Sequence, residues 1–230
     1  MFEREHHQKV LSILKKMNPE FLLDTKCYFG GGTAISLLYG EFRESIDIDF
    51  LCADQDGYRK LRNSVFNNGL GDIFSQPIEL MRDVRADRDG IRAVISADGT
   101  PIKFEIVREA RIELSGMMVA SLPVPCLTST DLFAEKLLAN ADRYADKSVM
   151  SRDIIDLMMM EKKCTCIPKQ AWDKAREAYG DSVRGAFDKS KQLLRSNPEY
   201  FRSCLAKMGM SDELGLSLEA ALNSSLEQPD

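Results

Sequence analysis

YFGGGTAISLLYGEFRESIDIDF, residues 28–50, is the stretch that decides how this chain folds. Three consecutive glycines, Gly30 to Gly32, follow a short apolar run and precede residues 33–39, where Ile35, Leu37 and Leu38 have helical spacing. Strand, glycines, then helix is the order a phosphate cradle needs. Glycine lets the backbone approach an anion closely, and the helix start offers amide groups and partial positive charge. The Thr33 hydroxyl would add a donor. A tight turn demanding positive φ angles explains the glycines equally well. A Walker-type P-loop is excluded because no lysine follows the glycines, and a dinucleotide fingerprint because its later glycines are missing.

From residue 46 to 51 the pattern alternates. Ile46, Ile48 and Phe50 share one face of a predicted strand, and Asp47 and Asp49 share the other. Carboxylates so placed repel each other unless a cation lies between them. Magnesium is commonly held by one or two carboxylates together with substrate phosphates. An exposed edge strand with a polar face is the plainer alternative. A third carboxylate on a neighbouring strand would complete a two-metal site for a phosphoryl-type displacement. Glu105, which shares a face with Lys103, is the candidate. It could also accept the proton of an attacking hydroxyl.

Outward from this stretch, residues 3–17 have helical spacing, interrupted at Asn18-Pro19. A helix over 56–68 should bury Tyr58, Leu61, Val65 and Phe66 and end at Asn67-Asn68-Gly69. Three strand-like runs follow at 78–81, 91–95 and 102–107, separated by turn sequences. Beyond Pro123 and Pro125 nearly everything reads as helix. Thr128 or Thr130 would cap one helix reaching about 146, and Ser151 another. Further helices are expected over 168–179, 182–195, 198–208 and 211–224, with 224–230 frayed. His6 and His7 receive no role. The expected fold is therefore α/β (α+β): a mixed β-sheet domain over residues 1–125, then a C-terminal helical bundle over 126–230.

Composition narrows the function classes. A net charge of −5 argues against nonspecific coating of nucleic acid, although residues 132–210 carry a surplus of about four positive charges. No apolar run is long enough to span a bilayer and the first residues lack a secretory pattern, so no membrane partner and a cytoplasmic location are expected. Six cysteines, two of them in predicted strands, fit reduced thiols better than a disulfide framework.

The stretch GGGT…SIDIDF resembles the signature of the polymerase-β-like nucleotidyltransferase superfamily, and DLFAEKLLANADRYADKSVMSRDIIDLMMM, residues 131–160, resembles the C-terminal motif of the AbiEii/AbiGii abortive-infection toxins. The resemblance covers roughly residues 26–160. It implies a Mg²⁺-dependent nucleotidyltransferase that moves NMP from an NTP to an acceptor such as RNA, notably the 3′ end of tRNA, opposed by an antitoxin protein. Carried over by position, Gly31, Gly32 and Thr33 would hold the triphosphate, and Asp47 and Asp49 the metals. Lys103-x-Glu105 falls where the family has Lys-x-Asp. Lys136 would contact the triphosphate, and Arg152, Asp153 and Asp156 would form the helical part of the site. Read from the residues alone, Arg152 and Asp156 would form an intrahelical ion pair, and Asp153 would serve the helix dipole. Two other functions remain open: a non-catalytic NTP-binding regulator, and a transferase acting on an antibiotic-type small molecule.

Overall fold

A computed structural model describes residues 2–224; the fraying expected beyond them lies outside the described residues. Two compact units are formed. One comprises residues up to 41 together with 45–132, the other 42–44 together with residues from 133 on.

The first unit is built on one seven-stranded mixed sheet. Its strands are β1 (Cys27–Gly30), β2 (Ile48–Cys52), β3 (Glu79–Ala86), β4 (Gly90–Ala97), β5 (Thr100–Arg108), β6 (Gly116–Met118) and β7 (Pro125–Leu127). They lie in the order β3-β4-β5-β2-β1-β7-β6. β1 pairs antiparallel with β2 and parallel with β7, and β2 pairs parallel with β5. Period-2 alternation sends Ile91, Ala93 and Ile95 of β4, Ile102, Phe104 and Ile106 of β5, and Ile48 and Phe50 of β2 into the core. Phe29, Phe50, Phe104 and Phe74 stack as a tilted series with ring centroids 5.3, 6.0 and 5.6 Å apart.

Four helices belong wholly to this unit: α1 (Glu5–Leu14), α2 (Pro19–Asp24), α3 (Gly31–Leu38) and α4 (Gln55–Asn68). Asn18 caps α2 by accepting the Phe21 amide, with Pro19 at the first helical position. α4 is capped by Asp54 and ends at Gly69, whose φ is +59°. Phe66, expected in the core, is 91% exposed. Tyr58, Leu61 and Val65 follow the helical stripe, and the residue after Val65 falls about 100° round from it.

The predicted strand over 46–51 is shifted. β2 begins at Ile48, so Asp47 lies in the preceding segment, and Ile46 is 53% exposed rather than on the core face. The cause is the neighbour. Asp49 pairs with Gly30, the last residue of β1, after which that chain coils into α3; Ile48 keeps only its pairing with Phe104 of β5, and no pairing continues to Asp47.

The second unit is helical. α5 (Ser129–Arg143) starts in the first unit, and the rest of it belongs to the second. Thr128 caps α5: its Oγ1 accepts the Asp131 amide and its hydroxyl donates to Asp131 Oδ2. There follow α6 (Arg152–Cys164), α7 (Lys169–Tyr179), α8 (Ser182–Ser196), α9 (Pro198–Lys207) and α10 (Asp212–Ser224), with α8 packed against α6, α7, α9 and α10. Trp172 of α7 meets Phe187 of α8 edge-on at 5.2 Å. Ser151 does not cap α6 through its side chain. Its backbone is left-handed and its hydroxyl lies 3.1 Å from that of Tyr200.

The cysteines are free thiols. Burial pushes Cys52 and Cys126 up to about 12, which keeps both protonated and inert.

Candidate active site

The sheet unit gathers the glycines and the acidic strand. β1 passes directly into α3 with no intervening turn: Gly30 is extended, and Gly31, φ +68°, is the first helical residue. Gly30 and Gly31 are glycine for different reasons. A β-carbon on Gly30 would strike Leu51 and Leu127 at 2.4 and 2.8 Å, the side chains of the flanking strands. One on Gly31 would stand 2.5 Å from Asp49 Oδ2. The Asp49 carboxylate therefore packs against the start of α3, whose first amides have no acceptor within the helix.

Residues in register across neighbouring strands share a face. One row runs Gly30, Asp49, Glu105, Arg92 and Arg85 across β1, β2, β5, β4 and β3. Glu105 is thus beside Asp49, as the sequence suggests, but its carboxylate is engaged: Arg92 Nε lies 2.7 Å from Oε1. Arg92 also reaches Asp87 Oδ2 at 3.1 Å.

Asp47 and Asp49 are both half-buried. The Asp49 carboxylate beside a helix start suits a divalent cation that takes its remaining oxygens from water and phosphate. Among the described residues no group of three or more His, Cys, Asp or Glu side chains is arranged to hold a metal.

Thr33 is fully buried, with Oγ1 2.5 Å from the Asp47 carbonyl and 2.9 Å from Ser45 Oγ. A carbonyl oxygen only accepts, so the single Thr33 proton goes to Asp47. Thr33 thereby fixes the segment that carries Asp47.

Lys136, Asp153 and Asp156 come together in the helical unit as a buried ionic cluster. Lys136 Nζ lies 2.8 Å from Asp153 Oδ1 and 2.8 Å from Asp156 Oδ2. Arg43 makes a forked pair with Asp156, at 2.6 and 2.8 Å, and Arg143 one with Asp153, at 2.6 and 3.0 Å. Burial alone would raise both carboxyls, but Lys136 and Arg143 outweigh it at Asp153, and Arg43 and Lys136 at Asp156. Both are held below the ordinary carboxylate range. Asp156 does not form the intrahelical pair with Arg152, which lies half-exposed at the start of α6.

Sequence reasoning passed over Arg43, Arg143, Arg92 and His7. Arg43 sits in an irregular segment, and its partner is 113 residues away. Arg143 and Asp153 are separated by the end of one helix and a 3-10 turn at Lys147–Val149.

β3 is an edge strand, exposed along nearly its whole length. Its ladder with β4 slips twice, between Leu80 and Arg82 and between Arg82 and Arg85. These bulges put Arg82 and Arg85, which strict alternation would send to opposite faces, on the face of Val94 and Arg92. Met81, Arg82, Arg85, Arg92, Lys103 and Glu105 line an open groove of about 750 Å³ there.

No helix among the described residues is long and apolar enough to cross a membrane. Residues 12–224 match the family described as "Nucleotidyl transferase AbiEii toxin, Type IV TA system". Among solved structures, an antigenic nucleotidyltransferase-like protein from Paracoccidioides brasiliensis is similar at 16% identity and a TM-score of 0.49, over 89% of this chain and 94% of that one. JHP933 from Helicobacter pylori is similar at 17% identity and a TM-score of 0.37, over 86% and 99%. No curated protein sequence matches the chain significantly. The chain belongs to the AbiEii nucleotidyl transferase toxin family and is a nucleotidyltransferase.

Proposed function

We propose, taking membership of that family as the premise, that the chain transfers a nucleoside monophosphate from an NTP to an RNA acceptor with Mg²⁺ bound, and that an antitoxin protein opposes it. The observation that carries this is the contact of the Asp49 carboxylate with Gly31, which makes a cation ligand and an anion cradle neighbours.

In this proposal the amides of Gly31 and Gly32 bind the triphosphate, with the α3 N-terminus adding positive potential. Asp47 and Asp49 hold the cation. When bound, that cation neutralises charge on the transferring phosphoryl group and on the departing pyrophosphate. Thr33 keeps Asp47 in place from behind and does not touch substrate. Glu105, anchored by Arg92 beside Asp49, orients the incoming hydroxyl and accepts its proton rather than serving as a third metal ligand. Lys136, Asp153 and Asp156 hold one another, and a direct substrate role for Lys136 would require parting it from two carboxylates.

The groove's four basic side chains, Arg82, Arg85, Arg92 and Lys103, outnumber its two acids, Asp83 and Glu105, which favours a polyanionic acceptor over a cationic drug. The test is incubation with labelled NTPs, Mg²⁺ and total RNA, beside an Asp47→Ala/Asp49→Ala control. Label in RNA from the native chain alone is expected. Equal labelling by both proteins, or label only in small-molecule acceptors, would overturn the proposal.

A further inference from the structure

We propose that His7 is a positioning residue for Asp47, its neutral imidazole holding the backbone of residues 45–47 from which that carboxylate is presented. This rests on Asp47 being a cation ligand, as proposed above.

His7 is on α1 and fully buried. Its Nδ1 lies 2.7 Å from Glu41 Oε1, and its Nε2 lies 3.3 Å from the Ser45 amide nitrogen. An amide N–H only donates, so Nε2 must carry the lone pair and the ring proton must sit on Nδ1, donated to Glu41. Glu41 is itself fixed: its carboxylate accepts the amides of Glu3 at 2.7 Å and Arg4 at 3.3 Å, and its carbonyl accepts Arg4 Nε at 3.1 Å. The imidazole is thus held at one nitrogen by a clamped carboxylate and offers the other to Ser45.

Two further contacts converge on the same segment. His6 Nε2 lies 3.2 Å from the Ile46 carbonyl oxygen. Thr33 Oγ1 reaches Ser45 Oγ and the Asp47 carbonyl. Asp47 precedes β2, so no sheet ladder sets its backbone. Side chains of α1 and α3 set it instead, one residue at a time from 45 to 47. Such supports behind a ligand govern how well it holds a cation.

The test compares His7→Asn with His7→Gln in the full chain. The asparagine amide reaches the place of Nδ1 and keeps the Glu41 contact alone. The glutamine carbonyl reaches the place of Nε2 and can accept from Ser45. The probe is Mn²⁺ alone, followed by the electron paramagnetic resonance of the free ion. Asp49→Asn defines the portion bound at the site, and thermal denaturation of each variant serves as the control. His7→Asn should weaken Mn²⁺ binding by about tenfold or more. His7→Gln should restore most of it, although each variant gives up one hydrogen bond. Unchanged binding in both, or loss in both in step with the melting temperature, would overturn the role of His7, as would absence of Asp49-dependent Mn²⁺ binding in the native chain. RNA labelling is measured in parallel. If it is absent while Mn²⁺ binding depends on His7, the transferase proposal for RNA fails and the positioning role stands.

Discussion

The carboxylate of Asp49 packs against Gly31 so closely that a β-carbon on the glycine would stand 2.5 Å from Oδ2. Asp49 also pairs in register with Gly30, the residue before. The glycine run and the acidic strand are therefore two sides of one contact, and neither can change without the other.

Gly31→Ala should damage the site twice. The φ of +68° costs an L-residue about 1–2 kcal/mol, and the added methyl must push Asp49 aside. Urea denaturation should show the first effect, and a fall in nucleotide transfer larger than that stability loss the second. Equal transfer by the variant would mean that Asp49 need not lie against α3.

Asp49→Asn and Glu105→Gln should separate the two acids of the row. With Asp49 a cation ligand, as proposed, its loss would remove several kcal/mol of transition-state stabilisation, so transfer should fall by about a thousandfold or more. Glu105→Gln keeps an oxygen for Arg92 and should slow transfer less, with the larger change in the dependence on acceptor concentration. Equal losses would place Glu105 among the metal ligands.

Asp156→Asn should cost stability. It leaves Arg43 and Lys136 facing each other in a buried site, a change worth about 3–5 kcal/mol when one partner of a buried pair is removed. The pH dependence has a defined sign. Asp153 and Asp156 have folded values below 3.8, so the unfolded chain takes up protons first as pH falls. Their contribution is fully present above about pH 4 and is lost as pH falls through the depressed range. Chemical denaturation from about pH 4 downward should show a shallower decline in the variant.

His7 predicts a second window. Burial pushes it below 6.5, and Glu41, which works in the other direction, does not overcome this; Arg4 and His6 add to the lowering. The unfolded chain then binds more protons just below that value, so stability should fall as pH drops from 6.5. Glutamine at position 7 should remove that slope. A slope that survives in His7→Gln would have to arise elsewhere.

Arg82→Glu/Arg85→Glu bears on the acceptor. Each phosphate contact to single-stranded nucleic acid contributes about 0.7 to the slope of log affinity against log salt. The double variant should bind an RNA oligonucleotide more weakly and with a smaller slope, measured by fluorescence anisotropy, while its affinity for NTP holds. An unchanged slope would move the acceptor off the β3–β5 face.

The expected order of strands and helices agrees with the structure over most of the chain, because periodicity, turn residues and caps are local and leave local marks. Thr128, Asn18 and Gly69 act where turn chemistry requires. The glycine run, Asp49 and Glu105 lie on regular elements at short spacing, so their placement was legible for the same reason. The rest depended on which distant segments meet. Asp47 lies outside the strand because β1 ends at the Gly30–Asp49 pair, two pairings short of it. Arg82 and Arg85 share a face because β3 slips against β4. His7 and Glu41 are 34 residues apart, and Arg43 and Asp156 are 113 apart. By itself, then, the sequence determined most of the elements and brought Asp49 and Glu105 forward as neighbours. Tertiary structure alone decided which charges neutralise one another and which side chains hold those acids in place, because burial makes an unpaired polar group costly and a partner is found wherever the fold brings one.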